Sequence, residues 1–311
     1  MRPKNIKTNE SGFTLIELLV VISVIGVIAS VALVNMGGMR QNAAIMKSKT
    51  FSASIQQKIG IDLLGDWDFE EGAGTVAKDA SGNGNDGTIT GAIYTTSVPA
   101  GTSTQKYALQ FDGAGDYVSC GSQSSLSNLQ KYTLTAWINM NDRKYIPTIA
   151  NKGPETNNQH FWWGILNTNV IFLEVGDATG YAALNSSVMP WNLGQWYFVA
   201  VTLDNATKEV RHYRDGNYIN LRTFAGRDFH AGSYPMYIGR YYGLSAVNYD
   251  FNGMIDGVRI YGDALTLAQI QKTYLAGLKK LLAGGQITEN EYNERIRQLN
   301  KEYVVAGQKN K

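Results

Sequence analysis

The sequence predicts a mainly β protein, an antiparallel β-sandwich with a long apolar helix ahead of it and a helical hairpin behind it. Three observations carry this. Phe13 to Val34 is apolar almost throughout. Beyond Asp62 apolar and polar residues alternate with period two, and turn pairs punctuate the alternation. After Ala264 the period becomes helical.

Residues 1–12 form a polar leader, with Arg2, Lys4 and Lys7 against the single acid Glu10. The apolar run behind it reaches roughly 33 Å at about 1.5 Å per residue, enough to cross a hydrocarbon core of about 30 Å, so residues 13–36 read as a transmembrane helix. The positive-inside rule keeps the leader cytoplasmic and sends everything after the helix outward, giving a single-pass membrane protein with an extracellular or periplasmic domain. Glu17 breaks the apolar pattern. A carboxylate there costs on the order of 2.5–3.5 kcal/mol, which points to a partner cation. A secretory signal carries its small residue after a shorter apolar run, whereas Gly12 stands before this one.

The string Gly12-Phe13-Thr14-Leu15-Ile16-Glu17 resembles the cleavage and methylation motif of type IV pilin-like precursors. The resemblance implies that prepilin peptidase cuts after Gly12, that Phe13 becomes an N-methylated amino terminus, and that the helix stays attached. Cleavage leaves an ammonium one helical turn from Glu17. A neighbouring helix shifted by one turn then pairs its amine with this acid, so other pilin-like subunits are expected partners. An ordinary signal anchor with a snorkelling Glu17 is the plainer alternative. Residues 37–61 keep a helical pattern through Ile45, Met46, Ala53, Ile55 and Ile59, interrupted at Gly37-Gly38, where each glycine weakens helix propensity by about 1 kcal/mol. They read either as an amphipathic continuation of the helix or as a flexible stalk.

With 28 Lys plus Arg against 26 Asp plus Glu, the net charge of +2 leaves no nucleic-acid footprint. Roughly 270 residues follow the helix, enough for one large or two small domains with real cores. Cys120 is the only cysteine, so no intramolecular disulfide forms, and the disulfide-closed loop frequent in pilin heads is missing.

Strands are expected at Leu134–Met140, Val170–Val175, Met236–Gly239 and Met254–Tyr261, with Trp196–Leu203 as a half-buried strand. Val210–Asn220 carries Asp215-Gly216 at its centre, a hairpin signal. No helix interrupts residues 62–265, which argues for a sandwich or jelly roll.

The markers Trp67-Asp68-Phe69-Glu70-Glu71-Gly72, Asp79 to Gly87, Leu109-Gln110-Phe111-Asp112-Gly113 and Asp116-Tyr117-Val118 stand in the order seen in concanavalin A-like domains of the laminin G type. Thr135-Ala136-Trp137-Ile138, Gly194-Gln195-Trp196, Tyr237-Ile238-Gly239 and Phe251 to Tyr261 continue it. The chain thus resembles that family over about two thirds of its length. The resemblance implies two antiparallel sheets packed face to face, with the first and last strands as neighbours.

Glycosidases on such a sandwich need two carboxylates flanking the scissile bond. Glu174-Val175-Gly176-Asp177 is the nearest approach to a Glu-x-Asp-x-x-Glu strand and lacks its middle acid and final Glu. His160, His212 and His230 show neither metal spacing nor a Ser partner. The chain is therefore expected not to be an enzyme. A structural calcium is the better candidate cofactor: Asp79, Ser81, Asn83 and Asn85 alternate as hard-cation ligands do, although Thr90 at position twelve excludes an EF-hand. The family resemblance adds Asp256 to this set, while the usual second acid is Gly257 here. The same loop also reads as a glycine-rich turn whose Asn and Asp side chains cap their own backbone. Aromatic residues near expected loops, Trp162, Trp163, Tyr181, Trp191, Tyr241, Tyr242 and Tyr249, are candidates to stack on sugar rings, or else belong to the core.

In the tail, Leu267, Ile270, Tyr274, Leu278 and Leu281 mark one helix face and Gly284-Gly285 ends it. Thr288 with Glu291 makes a capping box for a second helix faced by Tyr292, Ile296, Leu299 and Tyr303. Residues 266–306 thus form a helical hairpin, similar to short carboxy-terminal hairpin motifs appended to unrelated proteins, free to dock on the sandwich, the spine or another subunit. The combined expectation is a membrane-anchored pilin-like subunit that displays a laminin G-like domain for adhesion or filament assembly, with glycans or cell-surface molecules as ligands. The alternatives are a carbohydrate-binding or carbohydrate-active surface protein whose anchor never polymerises, and a pseudopilin of a secretion or DNA-uptake system.

Overall fold

A computed structural model describes residue 19 and residues 62–96, 107–143, 146–154, 160–177, 179–229, 232–242 and 249–309. The expectations for Gly12, Phe13, Glu17, residues 37–61 and His230 lie outside the described residues. Among the described residues no helix is long and apolar enough to cross a membrane.

The strands in chain order are β1 (Leu63–Trp67), β2 (Val76–Ala77), β3 (Gly87–Thr90), β4 (Ile93–Thr95), β5 (Ala108–Asp112), β6 (Tyr117–Ser119), β7 (Lys131–Met140) and β8 (Thr148–Lys152). They continue as β9 (Phe161–Leu166), β10 (Val170–Asp177), β11 (Gly180–Ala183), β12 (Trp196–Asp204), β13 (Glu209–Arg214), β14 (Asn217–Thr223), β15 (Met236–Ile238) and β16 (Asn252–Tyr261). Two helices follow, α1 (Leu267–Ala283) and α2 (Glu289–Lys309). Sheet 1 runs β14-β13-β12-β7-β16-β5-β4, with β1 added beside β16; sheet 2 runs β11-β10-β9-β8-β15-β6-β3-β2. All pairings are antiparallel, and the first and last strands meet, Leu63 opposite Tyr261 and Trp67 opposite Val258.

Period-two alternation decides which face each side chain occupies. Leu134, Ala136 and Ile138 of β7 point inward with Tyr197, Val199 and Val201 of β12, where they meet Phe161, Trp163, Ile171 and Leu173 of sheet 2 in one large core. The intervening residues of sheet 1 point outward, yet Trp137, Trp196, Phe198 and Tyr213 are buried too, under Ile270, Tyr274, Leu278 and Leu281 of α1 and Leu299 of α2. The helical hairpin docks on the sandwich and seals the outer face of sheet 1. That corrects the half-buried reading of Trp196–Leu203, which is buried on both faces.

Local chemistry supports these placements. Asp215 and Gly216 take φ of 51° and 78° in the two-residue turn between β13 and β14, the conformation an Asp-Gly hairpin needs. Thr266 and Gln269 form a capping box at the start of α1. At α2, the Thr288 hydroxyl accepts from the Glu291 N–H at 3.1 Å, while the Glu291 carboxylate takes Arg295 at 2.6 Å. Arg295 also donates to the Trp196 carbonyl at 2.7 Å, tying the second helix to sheet 1.

Candidate functional site

The loop from Asp79 to Asn85 is closed by its own hydrogen bonds. Asp79 Oδ1 accepts from the backbone N–H groups of Asp66 (3.0 Å) and Ser81 (2.9 Å). Its Oδ2 accepts from the Ser81 hydroxyl (2.8 Å), the Asn85 N–H (2.9 Å) and the Asn85 amide (3.0 Å). Asn83 donates to the carbonyls of Leu63 and Leu64, and Asn85 to that of Leu64. Calcium needs oxygen lone pairs turned toward it, whereas here donor hydrogens surround the one carboxylate. Asp79, Asn83 and Asn85 are together, but this arrangement does not fit the expected ion; it is the self-capping turn.

Asp256 takes a different partner. Its Oδ1 lies 2.9 Å from Lys280 Nζ of α1, which also reaches Glu70 Oε1 at 2.9 Å and the Asp68 carbonyl at 3.0 Å. Burial works against the Lys280 charge, but these acids hold its ammonium above the usual lysine range. Gly257, at φ 56°, sits at the register break in β16 that turns Asp256 toward α1 and Arg259 toward Asp66. Asp256 thus anchors the hairpin and is corrected from metal ligand to ion-pair partner.

Of the expected sugar-stacking residues, Trp163 is fully buried in the main core, and Trp191 is buried against Tyr197 with the Arg214 guanidinium 5.1 Å from its ring. Both are corrected to packing residues, because their strand or loop positions turn them toward the interior. Trp162 alternates with Trp163 and lies on the outer face of sheet 2, beneath Tyr241 (4.3 Å between centroids), Phe172 (5.0 Å) and Tyr249 (5.2 Å). Its indole N–H donates to the Thr148 hydroxyl at 2.9 Å. Tyr181 is exposed at the far edge strand β11, and Tyr242 is half-buried.

That outer face holds one rung of residues across the sheet, Thr88, Ser119, Tyr237, Asn151, Trp162, Glu174 and Ala183 in pairing order. Around Tyr237 the face carries a half-buried tyrosine patch. Tyr117 and Tyr237 meet edge to face at 5.6 Å, Tyr237 and Tyr242 at 5.8 Å, and Tyr242 and Tyr234 at 6.2 Å. The Arg240 guanidinium lies 4.4 Å from the Tyr117 ring centroid and 5.9 Å from that of Tyr237. Burial, with Tyr242 and Tyr117 nearby, pushes the Tyr237 phenol up, so it stays protonated at neutral pH. Such a patch offers ring faces for stacking and hydroxyls for hydrogen bonding. The sequence reading missed Tyr117, Tyr234, Tyr237 and Arg240, although Tyr237 stands between the inward-facing Met236 and Ile238 and is placed outward by alternation alone.

Several other polar groups of the face have partners of their own. His160 Nε2 and Glu174 Oε1 are 3.1 Å apart and buried, and the Asn151 amide oxygen accepts from the Tyr242 N–H at 2.9 Å. At the end of β10, Asp177 is bound by Arg227, whose hydrogen bonds hold its carboxyl well below the usual range. Glu174 and Asp177 therefore face separate partners. His212 lies inside the sandwich, where burial pushes its imidazole down to about 3 and keeps it neutral.

A model of the concanavalin A-like lectin/glucanases superfamily matches residues 112–271, and one of the prokaryotic N-terminal methylation motif matches residues 7–33. Comparison with curated proteins gives no match. Among solved structures, domain 4 of AbnA, a GH43 extracellular arabinanase from Geobacillus stearothermophilus in complex with arabinotriose, is similar at 20% identity and a TM-score of 0.51, over 68% of this chain and 98% of that one. The binding domain of Paraclostridial Mosquitocidal Protein 1 is similar at 15% identity and a TM-score of 0.55, over 70% of this chain and 52% of that one. The Botulinum neurotoxin serotype G binding domain follows at 11% identity and a TM-score of 0.54, over 70% and 51%. The chain thus spans about half the length of the toxin binding domains it matches, and at these identities the likeness is one of fold.

Proposed function

The chain belongs to the concanavalin A-like lectin/glucanases superfamily, and from that premise we propose that it is a membrane-anchored, pilin-like subunit presenting a glycan-binding sandwich outside the cell. The observation that carries the binding half is the tyrosine patch on the outer face of sheet 2. The helical hairpin closes the other outer face, so ring faces and phenol hydroxyls are available on the one side. The arabinotriose complex of the AbnA domain is in keeping with a sugar ligand on this fold. Binding is favoured over catalysis because Glu174 and Asp177 each have a close partner of their own, His160 and Arg227, rather than flanking a shared cleft.

The anchoring half rests on the methylation motif over residues 7–33. Prepilin peptidase cleaves after Gly12, and Glu17 pairs with the new amine of a neighbouring subunit. Gly12→Val then leaves a larger, uncut precursor, and Glu17→Ala blocks assembly while leaving processing intact. Normal cleavage of the first variant removes the pilin reading; normal assembly of the second leaves a processed anchor that does not polymerise. For the binding half, the full-length protein in detergent micelles is applied to a glycan array, with Tyr237→Ala beside it. Binding that drops about tenfold in the variant supports the patch, since stacked aromatic pairs and a lost hydroxyl together contribute about that much. Equal binding by both proteins moves the site elsewhere.

A further inference from the structure

Arg240 differs from the other arginines of the sandwich. Arg211, Arg214, Arg227 and Arg259, together with Arg295 of α2, each have a carboxylate within 4.0 Å, at Glu209, Asp215, Asp177, Asp66 and Glu291. Arg143 donates to the Asn169 side chain, and Arg222 to the Asn185 carbonyl at 2.8 Å. Among the described residues Arg240 has neither. Its Nε is buried without a hydrogen-bond partner, and its guanidinium is held over Tyr117 and Tyr237 at 4.4 and 5.9 Å. Such stacking holds the guanidinium on aromatic faces, with its Nε N–H lacking an acceptor among the described residues. A planar fork of this kind matches the two oxygens of a carboxylate or the oxygens of a sulfate, and being preordered it loses little freedom on binding.

The other charged groups near this face compete little. Glu174 is engaged by His160, the buried Lys152 donates to the Tyr234 carbonyl, and Asp177, which alternation turns to the other side of β10 from Glu174, is held by Arg227. Among the described residues Arg240 thus brings a guanidinium without a carboxylate partner beside the tyrosine rings, within reach of a sugar that stacks on them. We propose that the outer face of sheet 2 is an acidic-glycan site, in which Tyr117, Tyr237 and Tyr242 carry the sugar rings and Arg240 binds a carboxylate or sulfate substituent. This rests on the glycan-binding reading given above and narrows its ligand class.

The test is a glycan array in which the same sugar backbones are printed in neutral, carboxylated and sulfated forms, read with the full-length protein in detergent micelles at low and physiological salt. Wild type binds the charged forms about tenfold or more tightly than the neutral ones, a charge-assisted pair contributing at least that factor. The preference disappears in Arg240→Gln and shrinks in Arg240→Lys, which keeps the charge but loses the fork. The ratio of carboxylated to sulfated binding identifies the substituent. Melting temperatures accompany both variants, and Arg240→Lys carries the test should Arg240→Gln lose stability. Equal binding of charged and neutral forms, or a preference that survives Arg240→Gln, overturns the acidic-ligand assignment and leaves the glycan-binding reading standing. No binding to any printed glycan overturns both.

Discussion

The rings of Trp137 and Tyr274 stack 5.5 Å apart at 21°, one on the outer face of sheet 1 and one on α1. One turn along the helix Gly277 lets this contact close, because a Cβ there meets Trp137 Nε1 at 2.0 Å and the indole ring behind it. Gly277→Ala therefore forces the hairpin off the sheet. It is expected to lower stability by about 2 kcal/mol, read as a drop in melting temperature. An unchanged melting temperature contradicts the seated hairpin.

Lys280 holds the same helix through Asp256 and Glu70, both at 2.9 Å. Lys280→Met leaves Asp256 buried without its cation, and destabilisation of about 3 kcal/mol follows. Lys280→Met with Asp256→Leu recovers most of that loss, since an apolar pair of similar size replaces the ion pair. Denaturant unfolding of the single and double variants measures the difference, and equal instability of the two rejects the pairing.

In the loop at Asp79, donor hydrogens occupy the carboxylate that a cation would need. Chelator and added calcium are both expected to leave the melting temperature where it is. Asp79→Ala, by contrast, strands several donors and lowers stability by about 2 kcal/mol. A calcium-dependent rise in melting temperature restores the ion.

His212 supplies the pH dependence. Its folded value, about 3, lies below the ordinary histidine value of about 6.5, so its contribution is complete above pH 6.5 and is lost as pH falls from there toward 3. The melting temperature should therefore carry a decline on acidification from pH 6.5 that belongs to this imidazole. His212→Gln flattens that stretch of the curve; an identical slope in the variant assigns it to other groups.

Much of the sandwich could be read from residue order because alternation is local. The Asp215-Gly216 hairpin follows from turn chemistry; period two also turns Tyr237 outward and Trp163 inward, yet Tyr237 is passed over and Trp163 reads as a candidate ligand residue. The failures share a cause. Trp196–Leu203 reads as half-buried because the strand holds no record of a helix arriving from residue 267 onward to cover its other face. Asp256 reads as a ligand because its distance in sequence from Lys280 hides the ion pair that uses it. Trp191 reads as a loop aromatic, yet its ring turns inward against Tyr197. Arg240 carries no signal in the sequence, since its place over the rings of Tyr117 and Tyr237 is settled only by their packing around it.

Hydrogen exchange of the full-length protein, with and without the best-binding array glycan, tests the location of the ligand face most directly. Slowed exchange is expected in β6 and in residues 234–242 around Tyr237 and Arg240, with the hairpin and sheet 1 unchanged. Protection confined to α1, α2 or the segment between β11 and β12 with its exposed Val188 and Leu193, and none in β6 or β15, would contradict the account.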